Sequence, residues 1–404
     1  MINLDTNHLK ILNKKYGDSF YLFEKKEFVD NYNELVSSFR KYYSNYQLCY
    51  SYKTNYTPAI CKIVKSLGGY AEVVSDMEYW LALKVGYSAD KIVFNGPCKG
   101  DYLNYHIKNN GFNNADNFEE LYRISKIAKG NPNRIIKTGI RVNLDIIDGF
   151  TSRFGFDIKQ IPEVLDFLKK NNILLDGIHC HISRARGLNE WIKRANIMLG
   201  IIKDYNLNNI RYISLGSGMY GKMDDSLLKQ FPSNIPSYDD YAKSVLKIFD
   251  DYYKNSNIKP FLFTEPGTTI ISKYFDFATK VNHFKEISGK TFVVVDGSIH
   301  NLGETAQMKK LPVNVINIGR PKKDICDSAI VGYTCLEQDV LYSSFSGHIS
   351  VGDFVIFGNV GGYSIVDKPP FIKPNVPIIM IDDDKYVLIK EKETFEDIFR
   401  TYVF

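Results

Sequence analysis

No apolar run of about 18 residues, the length a helical membrane span needs, occurs in the 404-residue chain, so none is expected. The first residues, Met1-Ile2-Asn3-Leu4-Asp5, lack the basic region and following apolar stretch of a signal peptide, and none is expected. An excess of one charge is also missing. The 51 Lys and Arg stand against 46 Asp and Glu, a net charge of +5 with the signs interspersed, which argues against a nucleic-acid partner. The six cysteines, Cys49, Cys61, Cys98, Cys180, Cys326 and Cys335, form no CxxC and no zinc spacing. Reduced thiols in a cytoplasmic protein are the simplest account, and no metal site is expected. Repeats, low-complexity linkers and disordered tails are not visible either. What remains is a chain that is 44% apolar and long enough for two domains with cores of their own.

From residue 47 onward the pattern is regular. Strand candidates fall at 47–53, 70–74, 91–95, 111–116, 137–143, 174–182, 210–216 and 260–266. Helical patterns lie between them at 57–67, 76–85, 99–109, 117–129, 158–171, 188–205 and 237–255, after a first helix at 29–43. Alternating strand and helix predicts a parallel sheet, and eight such strands predict a closed (β/α)8 TIM barrel. The fourth strand, Gly-Phe-Asn-Asn-Ala-Asp, is the weakest because it is short and polar. Beyond about residue 268 the texture changes to short β-rich runs at 268–283, 291–296, 312–318, 328–334, 338–344, 353–358 and 377–390, with a last helix near 394. This predicts a C-terminal antiparallel β domain, a sandwich or barrel. The strand near 19–24 precedes the barrel and is expected to join that domain. The expected organisation is therefore 1–28 as an N-terminal segment of the β domain, 29–268 as the barrel and 269–404 as the β domain.

Catalysis in such a barrel sits at the carboxyl ends of the strands, so the residues there decide the reading. The first strand, Gln47-Leu48-Cys49-Tyr50-Ser51-Tyr52-Lys53, is expected to end on Lys53. Lysine is rarely buried without a partner, and a dry, rigid mount is what a Schiff-base lysine needs. The second strand carries Glu72, the fifth ends on Arg141 and Asn143, and the sixth on His179 and His181. The seventh leads into Gly216-Ser217-Gly218 and the eighth into Glu265-Pro266-Gly267. Glycine-rich loops after strands seven and eight are where this barrel binds phosphate, because a bare backbone brings its N–H groups close. A lysine, a phosphate cradle and a glutamate on one rim together suggest pyridoxal phosphate, with Glu265 facing the pyridine nitrogen and His181 stacking on the ring. Taken alone, Glu265 reads as a turn residue and His181 as a hydrogen-bonded core histidine.

These segments, in this order, resemble those of the alanine-racemase-fold (fold-type III) pyridoxal-phosphate decarboxylases, the family of diaminopimelate, ornithine, arginine and carboxynorspermidine decarboxylases. Tyr50-Ser51-Tyr52-Lys53-Thr54-Asn55 is similar to the cofactor-lysine motif, and Gly69-Tyr70-Ala71-Glu72-Val73-Val74-Ser75 with Glu78 to the second-strand motif. Phe94-Asn95-Gly96-Pro97-Cys98-Lys99, Ser152-Arg153-Phe154-Gly155, Gly177-Ile178-His179-Cys180-His181 and Glu265-Pro266-Gly267 match as well. In the β domain, Gly332 followed by Cys335 and Asp339 resembles a Gly-Pro-x-Cys-x-x-x-Asp segment, and Gly361-Gly362-Tyr363 a segment whose tyrosine contacts the phosphate. The resemblance implies a homodimer with shared sites, in which Cys335 reaches the partner's site and protonates the carbon left after carbon dioxide departs.

The departures lie on the substrate side. The expected Glu-Pro-Gly-Arg ends on Thr268, His-x-Gly-Ser becomes His181-Ile182-Ser183-Arg184, and Leu336 follows Cys335 where diaminopimelate decarboxylase has an acidic residue for the distal amine. Arg184, Arg186, His300 and Asp339 are the candidates for the substrate; arginine suits a carboxylate through its bidentate fork. The reading is a decarboxylase of an amino acid or an amino-acid conjugate, in a specialised route such as siderophore or capsule-precursor assembly. An amino-acid racemase of the same fold and a non-catalytic cofactor-binding protein are the alternatives.

Overall fold

The computed structural model describes residues 1–2, 4–147, 151–232, 234–318 and 323–404. Their contacts divide the chain into two units. One comprises Tyr32–Tyr220 and Asn234–Thr269; the other comprises Met1–Asn31, Gly221–Ser233 and Ile270–Phe404. The strand Ser19–Glu24, here β1, belongs to the second unit.

The first unit is the barrel. Its strands are β2 (Tyr46–Ser51), β3 (Tyr70–Val73), β4 (Ile92–Phe94), β5 (Phe112–Ala115), β6 (Ile136–Asn143), β7 (Ile173–His179), β8 (Tyr212–Ser214) and β9 (Phe261–Thr264). Each pairs in parallel with the next, and β9 pairs with β2 to close the ring. The helices between them follow the expected pattern with sequence-encoded ends. Asp76–Val85, for example, starts where the Ser75 hydroxyl accepts from the Glu78 N–H and stops at Gly86, a left-handed cap with φ 95°. The centre is filled by Cys49, Tyr70, Val93, Phe112, Tyr212 and Phe263, none more than 7% exposed. The Tyr212 and Phe263 rings stack at 5.3 Å, and Phe112 meets both edge-on. Each such ring removed from water stabilises the fold by roughly 1.5–3 kcal/mol.

Two expectations change in detail, and the weakest one holds. Strand β2 ends at Ser51, and Lys53 sits on the 3-10 turn Tyr52–Thr54 just beyond it. The polar fourth strand is real: Asn113 and Asn114 are buried, and their amides donate to Glu120, Thr138 and Asn95. Residues 268–274, expected as strand, form the short helix Thr268–Ile271 and the turn Ser272–Tyr274 before the sheet begins.

In the second unit, β10 (Phe275–Ile287) is the hub. It pairs antiparallel with β1, with β11 (Lys290–Val295) and with β15 (Phe354–Phe357). Strands β12 (Val313–Ile316), β13 (Lys323–Val331), β14 (Val340–Ile349), β16 (Ile378–Asp382) and β17 (Lys385–Lys390) complete it. Most pairs are antiparallel as expected, but β1 with β16 and β11 with β13 run parallel, so the sheet is mixed. The helix Thr6–Tyr16, which the sequence reading missed, lays Leu9 and Leu12 on a core of Phe20, Leu22, Phe354, Ile356 and Ile379. Among the described residues, no helix is long and apolar enough to cross a membrane.

Candidate active site at the barrel rim

The turn after β2 points Lys53 across to β3, where its Nζ lies 2.5 Å from Glu72 Oε2. Glu72 is fully buried. It also accepts from the Ser51 hydroxyl at 2.6 Å and from the Asn95 amide at 3.0 Å. Asn95 is itself fixed by Asn114, whose amide donates to it at 2.8 Å. A buried carboxylate would be costly alone, and here two neutral donors and one cation hold it. The lysine turn is also locked from the far strand. The Ser51 N–H donates to the Pro266 carbonyl at 3.2 Å, and a Cβ on Gly267 would overlap the Thr54 hydroxyl. Gly267 therefore serves close packing against the lysine turn.

Glu265, directly after β9, is fully buried. Its Oε1 accepts from the Ser214 hydroxyl at 2.7 Å, and its Oε2 lies 3.2 Å from His179 Nε2. Burial works against its charge, but the neighbouring His179 and Lys53 prevail and hold it well below the usual carboxylate range. His181, two residues on, stands with its ring 6.5 Å from that of His179 and tilted by 28°. Burial first, then the charges of Lys53 and Arg141, push its pKa well below the ordinary imidazole value, so it is neutral near pH 7. The Ser217 N–H reaches His181 Nδ1 at 3.3 Å, which assigns that nitrogen as the acceptor.

The loop Gly216-Ser217-Gly218 has φ of 66° at Gly216 and 94° at Gly218, a left-handed path that glycine takes without strain. It is held from behind by Arg194, which the sequence reading missed. Arg194 is fully buried, stacks over Trp191 at 4.4 Å, and donates to the carbonyls of Leu215, Ser217 and Ile182 at 2.7, 2.8 and 3.1 Å. Nothing in the helical run 188–205 marks it; only its contacts do. Arg194→Met should remove the donor from one buried and two half-buried carbonyls and leave the loop unsupported. The expected result is a loss of about 2–4 kcal/mol in stability and at least about tenfold weaker cofactor retention, read by melting temperature and by dialysis of the holoenzyme. Unchanged retention would remove Arg194 as the support of this loop.

Arg141, on β6, is buried and lies 3.5 Å from Asp116 Oδ1, with its guanidinium over Phe154 at 4.6 Å. Arg184 and Arg186 lie on the segment between β7 and the helix Leu188–Asp204; Arg184 is exposed and Arg186 half-buried. The barrel rim thus gathers Lys53, Glu72, Arg141, His181, the glycine loop, Glu265 and Gly267, and its loop carries Arg184 and Arg186.

The remaining candidates lie in the β unit. Cys335 is exposed on the loop between β13 and β14. His300 is half-buried with its ring edge-on to Phe371 at 5.9 Å. Tyr363 is half-buried with φ 56°, an unusual backbone state for a bulky residue. Asp339 lies on the same loop as Cys335. It is buried, and its two oxygens accept from the N–H of Ile299 at 2.7 Å and from the Thr334 hydroxyl at 2.6 Å. Its carboxylate shapes the Cys335 loop, because a buried acid must spend its lone pairs on nearby donors.

Donor chemistry at the rim fits pyridoxal phosphate: one amine, one buried and charged carboxylate suited to a ring N–H, one neutral imidazole, and a glycine loop with no side chain to fill the cradle. The fold and this site define a pyridoxal-phosphate barrel enzyme. The pyridoxal-dependent decarboxylase family, by its pyridoxal binding domain, matches residues 29–272, more than half of the chain. The chain belongs to that family and is a pyridoxal-phosphate-dependent carboxy-lyase acting on an amino-acid substrate. Among its relatives, the diaminopimelate decarboxylase of Archaeoglobus fulgidus is 27% identical over 90% of this chain and 88% of its own length. The L-glutamyl-[BtrI acyl-carrier protein] decarboxylase of Niallia circulans is 24% identical over 99% of this chain and 97% of its own. The crystal structure of Methanocaldococcus jannaschii diaminopimelate decarboxylase with L-lysine superimposes with a TM-score of 0.85, at 23% identity over 98% of this chain and 94% of that one, which shows the shared fold.

Proposed function

We propose that the substrate is an amino acid, free or carried in a conjugate, whose anionic part meets Arg184 and Arg186, and that Lys53 and Glu265 are the two ends of the cofactor seat. The observation that carries this reading is the pairing of Lys53 with a buried Glu72 on the same rim as the buried, charged Glu265. When bound, pyridoxal phosphate supplies the electron sink for loss of carbon dioxide. Lys53 Nζ would bind it covalently, with Glu72 drawing the amine's proton. Glu265 would hold a proton on the ring nitrogen, and neutral His181 would lie against the ring without competing for that proton. The glycine loop, Gly267 and Arg141 would be the phosphate-side groups. His300 and Cys335 would complete the site as residues of a second copy in a homodimer, Cys335 Sγ giving the proton to the carbon that lost carbon dioxide.

Two features favour a conjugate. The loop beside His181 offers an exposed arginine, and the position directly after Cys335 holds Leu336 in place of an acid. A relative matching nearly the full chain is named for a carrier-bound glutamyl substrate. A specialised assembly route, for a siderophore or capsule precursor, is the corresponding place for such chemistry. The six cysteines are all free, which suits the cytoplasm.

Carbon dioxide release from L- and D-amino acids and from citrate-linked diamino acids tests this reading. Release chiefly from a conjugate is expected. Release from free diaminopimelate alone would remove the conjugate from the proposal. Cys335→Ala should lower turnover by about tenfold to a hundredfold and misplace the proton, seen by product analysis in deuterated water. A normal rate and product would take Cys335 out of the mechanism. A monomer with full activity in sedimentation would contradict the shared site.

A further inference from the structure

We propose that the β unit carries a binding site for a small amphipathic carboxylate, anchored by Lys368. A cavity of about 620 Å³ opens in this unit, within the size range of small-molecule pockets. Lys368 lines it and is only 7% exposed. Its Nζ donates to the Asn375 side-chain oxygen at 2.7 Å, and among the described residues no carboxylate lies within ion-pair distance of it. An ammonium has three protons to donate, so a buried one with a single neutral acceptor is short of partners. Burial pushes its pKa down to about 8, against the attraction of the more distant Glu393, which still leaves it mostly charged at neutral pH.

The acidic groups around the cavity do not fill that role. Asp296 is taken by Lys373 at 2.5 Å, Asp18 by Lys280 at 2.9 Å, and Glu393 by Lys390 at 3.2 Å and by Asn375. Glu396 is exposed. The cavity's apolar wall comes from Tyr16, Val376, Ile372 and Phe395. Ile372 and Phe395 are 54% and 70% exposed, large apolar side chains presented to the opening. Ile372 also has φ of 64°, a strained state for a β-branched residue that persists where a loop is held in shape. A ligand with a carboxylate for Lys368 and a compact apolar body for this wall fits both halves. Every residue lining this cavity belongs to the second unit.

The test uses the holoenzyme with benzoate as probe, neutral benzamide and inorganic phosphate as controls, titrated by calorimetry while the cofactor absorbance is followed. Benzoate should bind without changing that absorbance, and benzamide and phosphate at least about tenfold more weakly, since one lacks the charge and the other the apolar body. Lys368→Met should weaken benzoate by about tenfold or more, and Lys368→Arg should retain it. A crystal soaked in benzoate should show its carboxylate against Lys368 Nζ, which keeps the proposal testable should the methionine variant fold poorly. Absence of benzoate binding, equal affinity in a folded Lys368→Met protein, equal affinity for benzamide or phosphate, or benzoate seated elsewhere in the crystal would each overturn it.

Discussion

Replacing Lys53 by alanine should lower carbon dioxide release by at least about a thousandfold, because the amine proposed to bind the cofactor covalently is lost. The structural consequence is separate and can be measured separately. Glu72 is fully buried and keeps only the Ser51 hydroxyl and the Asn95 amide once the lysine is gone. Since the lysine side chain is itself 28% exposed, the lost pairing should cost about 1–3 kcal/mol, less than a wholly buried pair. Lys53→Arg separates the two effects. A guanidinium restores a cation beside Glu72 but cannot form the covalent link, so its melting temperature should stay near that of the wild type while activity is absent. Borohydride reduction followed by mass measurement supplies the second readout: the wild type should gain the cofactor's mass irreversibly, and neither variant should. Turnover of Lys53→Ala within about tenfold of the wild type, or a cofactor adduct that survives in it, would show that another amine does this work.

Why Lys53 could be found at all is a matter of position. A barrel fixes where strand ends lie, and strands are marked by apolar runs that a single chain displays openly. Lys53, His181, Glu265 and the glycine loop all follow such runs, so their convergence on one rim was legible from order alone. The residues that make those groups functional were not. Arg194 sits in mid-helix with no local signature, and its three carbonyl partners come from the loops after β7 and β8. Ser214 and His179 serve Glu265 from 51 and 86 residues away. Hydrogen bonds across such separations leave no periodicity to read. The fourth barrel strand was weak in the sequence for a related reason. Its asparagines look like loop residues, yet Asn113 and Asn114 are buried because the Glu120 and Thr138 side chains and the Asn95 amide oxygen are there to receive them. The mixed pairing of the second unit was hidden because a parallel partner such as β16 for β1 lies more than three hundred residues along the chain. Asp339 shows the converse case. A motif position suggests a ligand contact, and the structure adds what the sequence does not show: the side chain is buried and accepts from Thr334 on its own loop and from the Ile299 N–H of another turn.

Glu265→Gln is the second large effect, and its pH dependence tests the cause. The amide keeps the shape and can still meet the Ser214 hydroxyl, but the charge that would balance a protonated ring nitrogen disappears. Turnover should fall by about a hundredfold to a thousandfold, the usual scale for removing one preorganised electrostatic partner, with the cofactor still bound through Lys53. His181 should remain neutral in the variant, since the Glu265 charge is among the influences that raise its pKa. Stability changes in a defined window. The folded protein holds this carboxyl below its ordinary value of 4.5, so the ionised group stabilises the fold above that pH. As the pH falls below about 4.5 towards the folded value, the unfolded chain takes up a proton that the folded one refuses, and the contribution is lost. Wild type should therefore melt higher than Glu265→Gln at neutral pH, by an amount equivalent to about 1–3 kcal/mol, and the two curves should converge in acid. A gap that stays constant through that range would mean that the glutamate acts by shape alone. A variant that turns over as fast as the wild type would mean that the ring nitrogen of the cofactor needs no carboxylate here, and that the electron sink is set from another side of the site.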